Sequence, residues 1–375
     1  MEQKTLTANN INRDDLFEQA QEIIFSNAAK SSDRKRRTDK IVRGVFLVVT
    51  ILCASIIIIV IGYILVKGLM PFFNTYAEGE RVGKASITYF LFGTTYNYGY
   101  DAATGYFYYG TLHLVFNTVY INILAAIMSI PTSILTALFI TRIAPKPLAK
   151  VISSGIDILA AIPSVIYGIF GMGVIVPIVK SIANAFGMVS ASGMSLFSGA
   201  IILALMSIPT MVSVSVTSLQ AVDESLIQGS LALGATKTQT NFKICLSAAK
   251  SGIFAAIILG LGRAMGEATA VSMVSGASIS GLTLNPFDPT MTLTSQMMSA
   301  IGEAVSGSIN YDIRFSAGIM LMLLIIVTNL ILNDVKETVS SVEKRPIWIV
   351  RVSYRIRDFC VFVYRKMKNA LQKQN

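Results

Sequence analysis

Six stretches of this chain run for about twenty residues almost without charge: Val45–Val66, Leu114–Ile140, Ile156–Val176, Leu196–Val216, Ile253–Met273 and Phe315–Leu332. A helix of roughly 20 apolar residues crosses a hydrocarbon core about 30 Å thick. Inside lipid every backbone N–H and C=O needs an internal partner, and a helix supplies one for each. The runs therefore predict an all-α integral membrane protein of about six transmembrane helices. Charged residues make up 14% of the chain, against about 25% in an ordinary soluble domain. The third run holds Pro163 and Gly168, Gly171 and Gly173, so a kink or break is expected there. No cleavable leader is expected, because the first apolar run lies behind a polar, basic stretch.

Basic residues set the orientation. With the N-terminus inside, nine Lys or Arg precede the first span, three lie in 141–155, three in 217–250 and ten in the tail. The opposite side carries Lys67, Arg81, Lys84, Lys180 and Arg314, and Arg263 lies within a span. Both termini are thus expected in the cytosol. Three regions follow: a basic extension at 1–40, a permeation domain at 41–335 with its core at 111–333, and a basic tail at 336–375. The net charge of +10 then reflects membrane flanks. A nucleic-acid partner is not expected, since the positive charge borders apolar spans. Arg34, Lys35, Arg36 and Arg37 face anionic lipid headgroups. Trp348 to Arg365 alternates aromatic and basic side chains, which suggests a helix lying on the inner surface, with a solvated tail as the alternative. The Tyr- and Phe-rich segment Tyr89–Tyr109 is expected as an external loop near the headgroup zone.

Cys53, Cys245 and Cys360 are too few and too scattered for a disulfide framework or metal cluster. The single histidine, His113, stands at the head of a span and is expected to be interfacial. No Gly-x-x-x-x-Gly-Lys-Ser/Thr loop is present, so ATP phosphates have no cradle of the usual kind here. No metal, no catalytic group and no resident cofactor are expected.

Two segments carry more specific information. The loop at 217–250 reads Asp223-Glu224-Ser225-Leu226-Ile227-Gln228-Gly229-Ser230-Leu231-Ala232-Leu233-Gly234-Ala235-Thr236. It predicts a short amphipathic helix stopped at Gly234, apolar enough to need a groove on a partner. In the fifth span, Arg263 and Glu267 are four apart and would share a helix face. Each costs about 2.5–3.5 kcal/mol at the centre of a lone spanning helix, so both are expected to face a polar interior. Gly262 and Gly266 make a Gly-xxx-Gly stripe suited to close helix packing. Two readings of the charged pair stand: an ion pair that fixes packing, or an anion route. Guanidinium geometry suits phosphate oxygens, which puts Arg263 first. Ser164, Asn117 and Thr210 are further polar groups in apolar spans.

The loop resembles the signature loop of bacterial ABC-importer permeases, Glu-Ala-Ala, three residues, Gly, nine residues, Ile-x-Leu-Pro. Gly234, Ile244 and Leu246 take their places in register; Gln228, Gly229 and Ser230 replace Glu-Ala-Ala, and Ser247 replaces the proline. Gly260-Leu-Gly-Arg-Ala-Met-Gly-Glu-Ala-Thr-Ala-Val271 resembles the fifth helix of PstC-type phosphate permeases. Ala160–Gly171, Leu91–Thr94, Phe287–Pro289 and Thr292–Thr294 are similar to that family too. The resemblance covers about Arg43 to Asn333. It implies a type I ABC-importer permease fold with a cytosolic coupling helix, in a bacterial cytoplasmic membrane. It implies a heterodimer with a related permease, two ATPase subunits that use ATP with Mg, and an external phosphate-binding protein. Glu224, Gln228, Gly229, Ser230, Leu233, Gly234, Ala235, Thr236 and Ile244 would then meet the ATPase. A permease for sulfate or molybdate remains open, as does a channel or ion-coupled transporter. The latter class commonly pairs two interrupted helices in inverted repeats, and only one interrupted span is evident here.

Overall fold

The computed structural model describes residues 13–188, 192–277, 281–299 and 302–340. Residues 341–375, with the alternating Trp348–Arg365 pattern and Cys360, lie outside them, as do the first twelve. The chain divides into two units, one up to Tyr63 and one from Ile64. The first unit is helical: α1 runs Arg13–Phe73 and carries the first apolar span, Asp39–Phe73. In it the Thr50 and Ser55 hydroxyls donate back to the carbonyls of Phe46 and Leu52, so neither presents a bare polar group to lipid.

The second unit opens with β1 Tyr76–Glu78 and β2 Arg81–Ala85, then α2 Ile87–Phe92, β3 Tyr96–Asp101 and β4 Tyr106–Tyr109. The strands make one sheet in the order β1-β2-β4-β3, with β2 and β4 parallel and the other pairs antiparallel. The expected aromatic loop is therefore a small folded layer on an otherwise helical membrane protein. Tyr96, Phe107 and Tyr109 are buried, together with Tyr76, Phe90, Leu114, Leu293 and Ile313. Their rings fill a protein core in place of the headgroup contact expected of them. Alternation of buried and half-buried residues along Tyr106–Tyr109 is the two-residue period of a strand with one covered face.

The helices follow: α3 Leu112–Leu138, α4 Lys146–Ala161, α5 Ser164–Phe170, α6 Val176–Ala185 and α7 Leu196–Gln220. Next come α8 Glu224–Ala232, the single turns α9 Lys237–Gln239 and α10 Leu246–Ala248, and α11 Lys250–Met265. The chain ends in α12 Thr269–Val274, α13 Leu293–Met298 and α14 Ile309–Ser340. π-helical turns extend α3 over Phe139–Ile143, join α5 to α6 over Gly171–Ile175 and join α9 to α10 over Thr240–Cys245. Among the described residues, five helices are long and apolar enough to cross a membrane. A sixth is obtained if Lys237–Ala248 and Lys250–Met265, bent by 68°, count as one.

Two expected spans are corrected. The third does not run Ile156–Val176. Proline has no N–H and drives the preceding residue out of the helical region, and Ile162 stands at ψ 126° before Pro163 at ψ 144°. The helix restarts at Ser164, and the apolar crossing is Ser164–Ala185. The fifth does not run unbroken over Ile253–Met273, because α11 stops at Met265 and α12 starts three residues beyond Gly266.

Between α12 and α14 the chain folds back into the bundle, and its backbone groups are met there. Leu196 and Phe197 at the start of α7 donate N–H groups to the carbonyls of Asp288 (3.1 Å) and Pro286 (2.8 Å). Thr290 N–H reaches Ser275 O at 2.9 Å. α13 is buried despite reading Leu-Thr-Ser-Gln at its start, and Leu293 N–H donates to the Thr118 hydroxyl at 3.0 Å.

Lipid tails give helices no hydrophobic reason to associate, so small residues that admit close packing decide the contacts. Those residues here are not Gly262 and Gly266. Nothing approaches a side chain built on Gly262, and Gly266 meets only the carbonyls of Arg263 and Gly262, beyond the last turn of α11. Close approaches run through Gly68 against Phe315, Gly199 against Ile121 and Gly260 against Met211. At Gly68 a Cβ would stand 2.7 Å from the Phe315 carbonyl oxygen, backbone that cannot swing aside. Gly68→Val is expected to destabilise the unit by about 1–3 kcal/mol, the usual cost of overpacking. Gly262→Ala is expected to leave thermal unfolding in detergent unchanged or slightly raised, since it replaces a helical glycine in open space.

Candidate functional site

Arg263 lies in the last turn of α11 and is exposed along the isolated chain. Its Nη1 donates to the Thr210 hydroxyl on α7 at 3.2 Å. Among the described residues no carboxylate lies within ion-pair distance of it. Glu267 sits in the break between α11 and α12, half-buried. Its Oε1 accepts the Ala270 N–H at 3.1 Å, supplying one of the acceptors that a helix start lacks. Its carbonyl accepts the Thr294 hydroxyl at 3.0 Å. The shared helix face expected for Arg263 and Glu267 is thus lost with the helix itself, and the two do not pair. A crevice beside Glu267 is lined by Thr118, Asn122, Ala264, Thr292 and Thr294 among others.

The lesser candidates divide. Thr210 is joined to Arg263, as above. Asn117 is fully buried and donates to the Thr290 hydroxyl and to Met291 O at 3.4 Å, so it ties α3 to the folded-back segment instead of lining a route. Ser164 is half-buried at the first position of α5 and meets none of the others. His113 is buried in the first turn of α3, with both ring nitrogens lacking a hydrogen-bond partner, so it is not interfacial.

A charged cluster escaped the sequence reading. Asp312, 2% exposed, accepts the Tyr76 hydroxyl at 2.7 Å and stands 3.4 Å from Lys67 Nζ. Burial and the Asp312 carboxylate raise the Tyr76 phenol well above its ordinary value, so it stays a donor. Arg314 is buried beside it and donates to Asn310 O at 3.1 Å and Gln296 O at 3.4 Å. Arg314 is therefore buried, and Lys67 is half-buried and paired with Asp312, so neither is a free loop charge. An aspartate and an arginine in the first turns of a helix that then runs apolar from Phe315 were the available signal.

The loop at 217–250 forms the short helix its sequence implied. Asp223 caps α8, accepting from Ser225 N–H at 2.9 Å. Gly234 adopts φ +85°, and Ala235 N–H returns to Ser230 O at 3.2 Å, the closing bond of a glycine C-cap that other residues enter with strain. Thr236 and Gln239 then exchange bonds in a capping box that starts the next turn. Ile227 is buried against Leu138, Ile140, Leu219 and Cys245. Leu226 and Leu231 are exposed, and Leu233 is 91% exposed. Glu224, Gln228, Gly229, Gly234 and Thr236 are exposed as well, with Ser230, Ala235 and Ile244 half-buried.

Residues 129–335 match the family described as binding-protein-dependent transport system inner membrane component. The chain belongs to this family. It is a permease of the ABC-importer type, multi-pass by its apolar helices. Among curated relatives it is 38% identical over 216 residues to a probable ABC transporter permease protein, YqgH, of Bacillus subtilis, covering 58% of this chain and 68% of that one. It is 30% identical over 251 residues to the phosphate transport system permease protein PstC of Pasteurella multocida, covering 63% and 77%. Among solved structures, the MetNI methionine ABC transporter in an inward-facing form gives a TM-score of 0.47 at 17% identity, over 61% of this chain and 95% of that chain.

Two outcomes follow for the permease. Glu267→Gln keeps an acceptor for Ala270 N–H and is expected to retain thermal stability in detergent, whereas Glu267→Leu strands that donor and lowers it by about 1–2 kcal/mol. For Asp223, the Ser225 bonds hold its carboxyl below the ordinary value. A depressed folded pKa contributes stability above the unfolded pKa and loses it as pH falls through the folded one. Amide-exchange protection factors over Glu224–Ala232, corrected for intrinsic rates, are therefore expected to fall on acidification below the carboxylate range, and Asp223→Ala to remove that fall.

Proposed function

We propose that the permease carries inorganic phosphate inward, as one of two related membrane subunits of an ATP-driven importer. The observation that carries this reading is the Arg263 guanidinium, held at the end of α11 by one neutral hydroxyl and free of any carboxylate partner among the described residues. An arginine so placed in an apolar span has donors to offer an anion, and its fork fits tetrahedral oxyanions. Two relatives whose names specify phosphate transport, from Pasteurella multocida and Mycobacterium tuberculosis, support phosphate over other oxyanions. The packing alternative loses its ground, since Arg263 and Glu267 do not pair.

In this reading the chain is no enzyme. ATP and Mg belong to two ATPase subunits on the cytosolic side, each received by a coupling helix such as α8. An external phosphate-binding protein delivers the anion, and lipid surrounds the spans of the heterodimer. ATP binding closes the ATPases, draws the coupling helices together and turns the path outward, so that the anion enters from outside. Both termini lie in the cytosol, with the extensions at 1–40 and 336–375 flanking the permeation domain. The positive-inside bias supports this, and it sharpens once Lys67 is counted with Asp312.

Vesicles holding the permease with its partner subunit, ATPase and binding protein are expected to accumulate labelled phosphate only with ATP, undiminished by excess sulfate. Arg263→Gln is expected to cut uptake by about a hundredfold, the loss of a charge-assisted anion contact of about 2–3 kcal/mol, with assembly intact. Competition by sulfate would move the assignment to a sulfate-type importer. Uptake that ignores Arg263→Gln would remove that residue from the path.

A further inference from the structure

We propose that Arg142 is the positioning residue through which movement of α8 reaches α3 and α7, an inference that rests on reading α8 as the ATPase-docking helix. Arg142 lies in the π-helical turn that ends α3, where one extra residue per turn re-aims a side chain relative to a regular helix. Its Nη2 donates to Leu219 O at 2.8 Å. That carbonyl is in the last turn of α7, where helix carbonyls lack partners and the helix dipole favours a cation. Its Nη1 stands 3.7 Å from Glu224 Oε2, and Glu224 is the first residue of α8. One guanidinium thus joins the end of α3, the end of α7 and the start of α8.

The two sides of this junction differ in strength. The bond to Leu219 is short, charge-assisted and largely covered, with the Arg142 side chain 17% exposed. The Glu224 carboxylate is 66% exposed, so its contact is weak and easily remade. α3 and α7 are therefore fastened to each other while α8 is held lightly. Arg142 Nε is buried with no partner, a donor available to an acceptor that arrives when α8 shifts. Ile227 also holds α8 to the bundle, but an apolar contact is non-directional and lets the helix slide. A planar fork with fixed donors transmits direction. The helices it grips carry Thr118 and Asn122 toward the far end of α3 and Thr210 midway along α7.

The test uses the complete four-part importer in vesicles, with Arg142→Gln, Arg142→Lys and Glu224→Gln. Read together are labelled-phosphate uptake, ATP hydrolysis without the binding protein, and hydrolysis with it. Arg142→Gln is expected to assemble and still hydrolyse ATP, with phosphate carried per ATP falling about tenfold, the scale of a typical coupling between sites. Lysine reaches one acceptor but not both, so Arg142→Lys is expected to recover only part of that ratio, and Glu224→Gln to lie between Lys and the parent. If Arg142→Gln fails to assemble, the Lys and Glu224 variants carry the same comparison. An unchanged ratio in assembled variants overturns the proposal, as does parallel loss of uptake and hydrolysis. A parent that responds to the binding protein by hydrolysing ATP yet carries no phosphate defeats the substrate reading alone. Arg142 is then judged by whether its variants lose that response.

Discussion

The requirement that every backbone polar group find a partner away from water governs this molecule. Regular helix meets it automatically, so the informative places are the interruptions. At Ile162–Pro163 the cost is small, because proline has no N–H to strand. At Gly266–Ala268 the Glu267 carboxylate supplies the acceptor that α12 lacks at its start. Where the chain folds back after α12, carbonyls of Pro286 and Asp288 serve as acceptors for the opening N–H groups of α7. The irregular segments thus complete the helices as much as they connect them. A substitution in one loop is felt at the end of a distant helix.

This explains which parts of the fold were legible. The spans could be read because twenty apolar residues admit few alternatives. The break at Pro163 could be read, but its consequence could not: the apolar stretch continues past Val176, so the helix slid its crossing toward Ala185. The expected face joining Arg263 to Glu267 assumed an unbroken helix, whereas Gly266 and the capping acid after it end α11 and begin α12. The sequence Gly-Glu-Ala-Thr-Ala held that stop-and-start signal in plain view. α13 was hidden for the opposite reason. Its Thr, Ser and Gln suggest solvent, yet all are buried, and the hydroxyls of Thr292, Thr294 and Ser295 satisfy one another and the main chain. In the outer layer, aromatic residues pointed to headgroups until the strand pairing turned them inward.

The loop at 217–250 was the most legible element because its signals are local. A capping aspartate, a glycine at positive φ and a capping box each act within a few residues, so their outcome does not depend on the rest of the fold. Its anchoring was not legible. Arg142 is separated from Leu219 and Glu224 by more than seventy residues, and only the assembled bundle brings them together. Short-range rules place α8; long-range packing decides what it touches.

The same division bears on the charged residues of α11 and α12. Had Arg263 and Glu267 shared a helix face, each would have cancelled the other and an anion would meet little net field. The break separates them. Glu267 turns its carboxylate to the start of α12, where the positive end of the short helix and the Ala270 N–H occupy it. Arg263 stays at the end of α11, where the negative helix end stabilises the cation without taking up its donors. An acid placed to compensate the base instead satisfies the backbone, which leaves the guanidinium with the Thr210 hydroxyl and, among the described residues, no carboxylate partner. A three-residue interruption in a spanning helix thereby separates what would have been a neutral pair.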